Sequence, residues 1–191
     1  MKARTSTQSP NLVKQSGTLI PPVSARDHIQ GRADAPVTLV EYGDYQCPYC
    51  GEAHRVIKRL QKALGKQLRF VFRNFPLTQA HPYAMIAAAA AEAAGLQGKF
   101  WQMHDWIFEH QADLEPDTLS PWAEKVGLDL TEFGKAIKQG GVTKQIKEDV
   151  ESGESSGVDG TPCFFINGMR SDGETDYDSM RAALREQLIH D

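Results

Sequence analysis

The sequence predicts an α/β protein in which a central mixed β-sheet is flanked by helices and carries an inserted all-helical subdomain. Two strand-like apolar runs lie at residues 37–42 and 68–75, and a stretch with the apolar spacing of a helix separates them. The strand pattern returns at residues 162–166, after a block at 78–157 in which every pattern is helical. A sheet interrupted by a helical insertion accounts for this order of elements.

The chain divides into predicted parts as follows: a flexible, proline-containing N-terminal arm (1–30), a sheet-bearing domain in two pieces (31–77 and 158–191) and the helical insertion (78–157). With 191 residues, of which 40% are hydrophobic, the chain can bury a normal core. We expect a monomer.

The first strand is predicted at residues 37–42, where apolar and β-branched residues follow a turn that ends in Pro36. The next helix extends from Cys47 to about Leu64 and ends at Gly65, a residue suited to helix C-termini. The strand at 68–75 should run parallel to the first, because a helical crossover connects them.

The insertion contains several predicted helices. The first begins at His81-Pro82 and ends at Gly95, and the second extends from 98 to 110. Three shorter helices are predicted at 119–126, 130–138 and 142–152. The strand at 162–166 then enters a hairpin turn at Asn167-Gly168, a short antiparallel strand follows at 169–171, and an amphipathic helix closes the chain at 178–189. Trp101, Trp106 and Phe108 are expected in the core, and His81, His104 and His110 in structural or exposed positions.

Composition excludes several classes of function. The net charge of −4 and the scattered basic residues give no electrostatic basis for binding nucleic acid or anionic membranes. No apolar run approaches the length of a transmembrane helix. The start, Met1-Lys2-Ala3-Arg4, lacks the apolar stretch of a secretory signal, and three cysteines form no disulfide framework. We therefore expect a cytoplasmic protein; a wrongly chosen start that hides a signal is the extracytoplasmic alternative.

The motif Cys47-Pro48-Tyr49-Cys50 carries the chemistry that the sequence indicates. It lies where a strand ends and a helix begins, so Cys47 occupies the helix N-terminus. Unpaired N–H groups and the helix dipole favour a thiolate there, and the thiolate is the form that attacks disulfides. Pro48 fits the first helical turn, where its missing N–H costs nothing. We interpret the motif as a redox site, with Cys47 as the nucleophile and Cys50 as its resolving partner.

A zinc half-site is the competing interpretation of the two cysteines, because Cys-x2-Cys also suits that metal. Zinc requires further ligands, and the sequence contains no second CxxC motif and no HxxxH motif. His54 and Cys163 are the remaining candidates. We favour redox chemistry and expect no metal. A c-type haem site is excluded because Gly51 stands where that motif has histidine.

The order of elements and four segments resemble the DsbA-like thiol–disulfide oxidoreductases, which have a thioredoxin-like fold with a helical insertion. The segments are residues 31–42, Cys47-Pro48-Tyr49-Cys50, 98–104 with its Phe100-Trp101 pair, and 160–168 with Gly160-Thr161-Pro162. The resemblance covers roughly residues 31–190 and implies exchange of disulfides with the cysteines of proteins or peptides. It implies no cofactor besides the Cys47–Cys50 disulfide, with glutathione or a thioredoxin-type protein as an electron partner.

The resemblance also implies roles for further residues. Pro48 and Tyr49 would tune the thiolate, and Glu41, six residues before Cys47, would be a buried carboxyl that exchanges a proton with Cys50. Strand alternation could instead turn Glu41 to solvent. Thr161-Pro162 would form a cis-proline loop that faces the cysteines and pairs with an extended substrate.

Cys163 departs from the pattern expected after Thr161-Pro162. It is interpreted either as a small buried hydrophobic residue or as a third redox thiol, which would include a site of glutathionylation.

These observations favour a cytoplasmic reductase or isomerase that acts on protein disulfides. The alternatives are an extracytoplasmic DsbA-type oxidase and a non-catalytic redox-sensing binding module. A glutathione-dependent transferase or isomerase of the same fold is disfavoured, because those relatives generally lack the second cysteine, which Cys50 supplies here.

Overall fold

The computed structural model describes residues 17–189. Its strands, numbered in chain order, are β1 (His28–Gln30), β2 (Val37–Gly43), β3 (Leu68–Asn74), β4 (Cys163–Ile166) and β5 (Met169–Ser171). Its α-helices are α1 (Pro48–Leu64), α2 (Ala84–Gly95), α3 (Phe100–Glu109), α4 (Leu119–Lys125), α5 (Leu130–Lys138), α6 (Thr143–Ser155) and α7 (Tyr177–Gln187). Apart from β1, the predicted order of strands and helices is confirmed.

The strands form one mixed sheet in the order β1-β3-β2-β4-β5. β2 and β3 are parallel, because α1 carries the chain back across the sheet between them. β4 is antiparallel to β2, and β5 follows it through the turn at Asn167-Gly168. Both residues of that turn have positive φ, which suits a two-residue hairpin. This arrangement confirms the predicted fold class.

The central strand β2 separates two cores. Leu39 faces the larger core, which α1, α7 and the helices of the insertion share. Val40 and Tyr42 point to the opposite face, where they meet Phe165 and the N-terminal segment. Because side chains alternate along a strand, this arrangement puts Glu41 on the same face as Leu39.

Helices α2 to α6 all lie within the predicted insertion at 78–157. The alanine run of α2 is buried, because its small side chains allow neighbouring helices to approach closely. Phe108 is buried in the larger core, and Trp101 and Trp106 are partly buried against that core. The predicted core role of these aromatic residues is confirmed. None of the helices between residues 17 and 189 is long and apolar enough to cross a membrane.

The prediction of a flexible arm at 1–30 is wrong for residues 17–30. β1 pairs with β3 at the edge of the sheet, and Leu19 is buried. Asp27 forms an ion pair with Arg73, and both side chains are fully buried. A three-residue strand is too short to show a periodic pattern, which is why the sequence did not predict it. Residues 1–16 of the predicted arm lie outside the described residues.

Candidate redox site

Cys47 lies directly before the first turn of α1. Its backbone is extended and it occupies the N-cap position, with Pro48 at the start of the helix as expected. The Cys47 carbonyl oxygen accepts hydrogen bonds from the N–H groups of Cys50 and Gly51, at 3.1 and 3.2 Å. Both thiols of the motif are free. The Cys-x2-Cys spacing therefore places Cys47 at the N-cap and Cys50 in the first turn of α1.

The thiol of Cys47 has a lowered pKa of about 5. The hydrogen bond from the Cys50 side chain lowers it most, and N–H groups of Cys50 and Tyr49 add to the effect, against the opposing influence of burial. Cys47 Sγ also lies 3.3 Å from the carbonyl oxygen of Thr161. The donors around Cys47 Sγ, and not this carbonyl oxygen, favour the thiolate at neutral pH.

Cys50 has the opposite character. It is fully buried, and burial is the main reason why the pKa of its thiol lies well above the ordinary value. The hydrogen bond to Cys47 and the negative charge of Glu41 raise this pKa further. Its Sγ accepts from the N–H of Asp44 at 3.4 Å. The site thus pairs a low-pKa thiol with a high-pKa thiol.

Glu41 is buried, which decides between the two orientations that the sequence left open. Its Oε1 has no hydrogen-bond partner among the described residues. Burial, together with the nearby negative charge of Cys47, raises the pKa of the carboxyl to about 8. Near neutral pH this group therefore holds a proton that it can release or recover.

The predicted loop at Thr161-Pro162 lies beside Cys47, and the peptide bond between these residues is cis. The side chain of Thr161 is one of the groups that lower the pKa of Cys47. The main chain of Thr161 thus reaches the reactive sulfur, whereas Tyr49 on the helix side has 68% of its surface exposed.

Cys163 lies on the other face of the sheet. It pairs with Tyr42 across β2 and β4 and is buried in the smaller core with Val40 and Phe165. Burial raises the pKa of its thiol. The structure therefore does not bring Cys163 to the same sheet face as Glu41 and the reactive pair.

Two residues that the sequence analysis missed hold the loop that carries Cys47. Asp44 accepts from the N–H groups of Gln46 and Leu77, at 2.7 and 2.8 Å, and its carboxylate contacts His81 Nδ1. Gln111 donates to main-chain carbonyls of the same loop. Asp44 lies close to the motif in sequence, which was a usable signal. Gln111 is 64 residues from Cys47, and no local pattern indicates it.

His54, a candidate zinc ligand in the sequence, belongs to a different cluster. Its ring lies near His104 and Asp105, and their potential ligand atoms are within 4.8 Å of one another. However, His54 Nε2 and Lys58 Nζ already bind the two oxygens of Asp105, at 3.0 and 2.7 Å. This cluster is an ion-pair network between α1 and α3, and it includes none of the three cysteines.

His104 and His110, the two remaining histidines for which structural or exposed positions were predicted, both have structural contacts. His104 Nδ1 lies 3.0 Å from the hydroxyl of Tyr45, and the His110 ring stacks on Trp106. Together with the contact of His81 to Asp44, these interactions agree with the structural interpretation of the histidines.

Comparison with known proteins gives a family match over most of the chain. The family model described as thioredoxin matches residues 24–186. A protein of Salinispora arenicola named Na(+)/H(+) antiporter NhaA 1 is 45% identical over 166 residues, which cover 87% of this chain and 25% of that protein. A Herminiimonas arsenicoxydans protein named Na(+)/H(+) antiporter NhaA is 40% identical over 167 residues, which cover 87% of this chain and 26% of that protein. The chain thus spans about a quarter of the length of these relatives.

Solved structures have the same fold. BdbD from Bacillus subtilis, in its oxidised form, superposes with a TM-score of 0.80 at 25% identity, over 91% of this chain and 97% of BdbD. A thioredoxin-like oxidoreductase from Silicibacter pomeroyi gives a TM-score of 0.72 at 25% identity, over 87% and 92% of the two chains. The thiol-disulfide exchange protein alpha-DsbA2 from Wolbachia pipientis, at 22% identity, shares the fold with a TM-score of 0.75 over 85% and 87%. The chain therefore belongs to the thioredoxin family, and its fold is the one that these solved structures share.

Proposed function

We propose that this protein exchanges disulfides with cysteines of other proteins through Cys47 and Cys50, and that it acts mainly as an oxidant. The observation that carries the proposal is the contrast between the two thiols. Cys47 has a pKa of about 5 at the N-terminus of α1, and Cys50 is buried with a pKa well above normal. A stable thiolate at Cys47 makes it a good leaving group, and it stabilises the reduced form of the site.

The proposed oxidation has two steps. A substrate thiolate attacks Cys47 Sγ of the Cys47–Cys50 disulfide; the bond between the two sulfurs of the enzyme breaks, and Cys50 leaves with the electron pair. A second substrate thiolate then attacks the substrate sulfur of the mixed disulfide and releases Cys47 as a thiolate. The substrate loses two electrons and gains a disulfide, and the enzyme ends with both cysteines reduced. Glutathione disulfide can reoxidise it in an assay.

Glu41 is proposed to supply the proton that Cys50 takes up when it leaves. Because the pKa of the carboxyl is about 8, Glu41 is largely protonated at neutral pH. A buried Cys50 thiolate is unfavourable, so a proton from a neighbouring buried acid lowers the barrier for its departure. In the reverse direction, the same carboxylate would take the proton from Cys50.

The substrate is proposed to bind as an extended peptide beside Thr161. The carbonyl of Thr161 lies next to Cys47 Sγ, where it can accept a hydrogen bond from the main chain of a bound peptide. The exposed ring of Tyr49 provides apolar contact on the other side of the reactive sulfur. These contacts involve the substrate main chain and an apolar surface, so they suit cysteines in many sequences.

The site and the sequence lead to different expectations about whether the protein oxidises or reduces its substrates. The sequence favoured a cytoplasmic reductase or isomerase. The thiol pKa of about 5 lies between the values of about 3.5 for DsbA and about 7 for thioredoxin, and it supports an oxidising role. An oxidase of this kind acts where disulfides persist, outside the reducing cytoplasm.

The reduction potential of the Cys47–Cys50 pair is the measurement that tests the direction. The protein is equilibrated in glutathione buffers, quenched and alkylated. The fractions of the dithiol and disulfide forms are then quantified by mass spectrometry. We expect a potential well above that of thioredoxin, which is about −270 mV, and towards that of DsbA, about −120 mV. A value near −270 mV would reject the oxidising role in favour of the reductase. Fractionation of cells that express the natural gene tests the compartment.

A redox-sensing binding module would use the same cysteines without turnover. It predicts a partner that binds in only one redox state and almost no catalysis of disulfide exchange. Multiple turnovers on a reduced, unfolded substrate protein with glutathione disulfide as the oxidant would exclude it. The low pKa of Cys47 favours the enzyme, because it accelerates the release of that sulfur.

A further inference from the structure

Gln111 makes an unusual contact with the loop that carries the reactive cysteine. It lies in a short 3-10 turn (Gln111–Asp113) directly after α3, on the helical insertion. Its Nε2 donates two hydrogen bonds of 2.8 Å, one to the carbonyl oxygen of Tyr45 and one to that of Cys47. Both hydrogens of the side-chain amide are therefore used on the main chain of the redox loop.

The other end of the Gln111 amide rests on α1. A Cβ atom added to Gly51 would overlap Gln111 Oε1, so the amide fits only because position 51 carries no side chain. Tyr45 is also held from the insertion, through the bond between its hydroxyl and His104 on α3. The residues just before α1 are thus fixed by groups that lie more than fifty residues away in the chain.

From these contacts we infer that Gln111 is a positioning residue for Cys47, and that it keeps the Cys47 thiolate stable by holding the first turn of α1 in place. This inference rests on the proposed function, because it concerns the same thiolate.

The physical argument has two parts. The carbonyl oxygen of Cys47 carries a partial negative charge close to its own sulfur, and a donor on that oxygen offsets its repulsion of the thiolate. Gln111 also fixes the extended backbone of Cys47 (φ −70°, ψ 121°), from which Sγ reaches the Cys50 donor and the N–H groups of the turn. Loss of the amide would free this backbone and weaken those hydrogen bonds.

The test compares two variants that remove the contact by different routes. Gln111→Ala deletes the amide, and Gly51→Ala leaves Gln111 intact but puts a methyl group where Oε1 lies. Gly51 is in the helix without a positive φ, so alanine suits its backbone. Gln102→Ala is the matched control, since Gln102 is an exposed glutamine on α3.

The readouts are the pH titration of the Cys47 thiolate by its absorbance near 240 nm and the reduction potential. Each of the two variants should raise the acid dissociation midpoint of Cys47, with a fall of about three- to tenfold in its ionisation constant, the range expected for one hydrogen bond. A tenfold fall corresponds to a potential about 30 mV more negative. The control should match the wild type in both measurements.

The outcomes separate this inference from the proposed function. If wild-type Cys47 titrates like an ordinary thiol, the proposed function fails before any variant is made. If the wild type has a low pKa and both variants keep it, the positioning role is wrong, even when thermal unfolding shows that they are less stable. If only Gln111→Ala shifts the pKa while Gly51→Ala demonstrably displaces the amide, the assigned contact is not the cause.

Discussion

Cys47 Sγ lies 3.3 Å from the carbonyl oxygen of Thr161, although 114 positions separate the two residues in the chain. The contact exists because β4 pairs with β2 and returns the chain to the end of the sheet that α1 leaves. The whole helical insertion lies between the two contributions. The candidate site is therefore shared by both pieces of the sheet-bearing domain, and Gln111 and His104 add support from the insertion.

Replacement of each cysteine should have a distinct effect. Cys47→Ser should abolish disulfide exchange, because no nucleophile or leaving group remains at the helix N-terminus. With disulfide-containing substrate proteins, Cys50→Ser should accumulate mixed disulfides, visible on non-reducing gels, because Cys50 can no longer attack the mixed disulfide and re-form the Cys47–Cys50 bond. Cys163→Ala is the matched control, since that thiol lies in the smaller core. A change in oxidation products with Cys163→Ala would show that this residue is a third redox thiol.

The reactivity of Cys47 should follow the pH with a midpoint near 5. The rate at which Cys47 is alkylated can be measured by mass spectrometry of the peptide that contains it. This rate should be half-maximal at about that pH. Cys50→Ala should move the midpoint upwards, because the Cys50 hydrogen bond is the largest contribution to the lowered pKa. An unchanged midpoint in this variant would contradict that assignment. The unfolded protein provides the reference titration of an ordinary thiol.

Glu41 should make the reduced protein less stable as the pH rises. Its folded pKa of about 8 exceeds the ordinary value of 4.5, so the folded state binds the proton more tightly than the unfolded state. The contribution of this group to stability is therefore present at low pH and is lost between about pH 5 and 8, which amounts to about 3 kcal/mol by linkage.

Denaturant titrations at pH 5 and pH 8 test this expectation. The lowered pKa of Cys47 acts in the opposite direction over the same range, so the contribution of Glu41 is read from the difference between variant and wild type. From pH 5 to pH 8, Glu41→Gln should change the free energy of unfolding more favourably than the wild type does, and it should also slow the departure of Cys50 in stopped-flow exchange. Glu52→Gln, at an exposed position of α1, is the control and should keep the wild-type slope. A Glu41→Gln variant with the wild-type pH dependence would mean that Glu41 does not titrate as proposed.

The N-terminal segment should contribute strongly to stability. Asp27→Ala leaves Arg73 buried without its carboxylate partner, and the expected cost is about 3–5 kcal/mol in the free energy of unfolding. Asp34→Ala removes an ion pair with Arg32 that is exposed at the surface, so it should leave the denaturation midpoint nearly unchanged. Equal effects of the two substitutions would show that residues 17–30 are not part of the folded core.

The positions of the main elements and of the redox motif could be predicted because their signals are local. Cys47-Pro48-Tyr49-Cys50 sits between a run of strand-forming residues and a helical pattern, and the observed α1 begins at Pro48. The start of α2 was predicted too early, because residues 78–80 and 82–83 form turns before the helix begins at Ala84. The orientation of Glu41 was left open, since one strand does not show which of its faces is covered.

The sequence by itself determined the fold class, the order of strands and helices from residue 37 onwards, and the cysteine pair at a helix N-terminus. Those features depend on the periodicity of apolar residues and on the chemistry of neighbouring residues, which can be read along the chain. Only the tertiary structure decided that Cys163 faces away from the pair, that Asp27 is buried against Arg73, and that Gln111 holds the redox loop. Each of these depends on strand register or on contacts between distant segments, because burial and hydrogen bonding across the fold arise when the elements pack together.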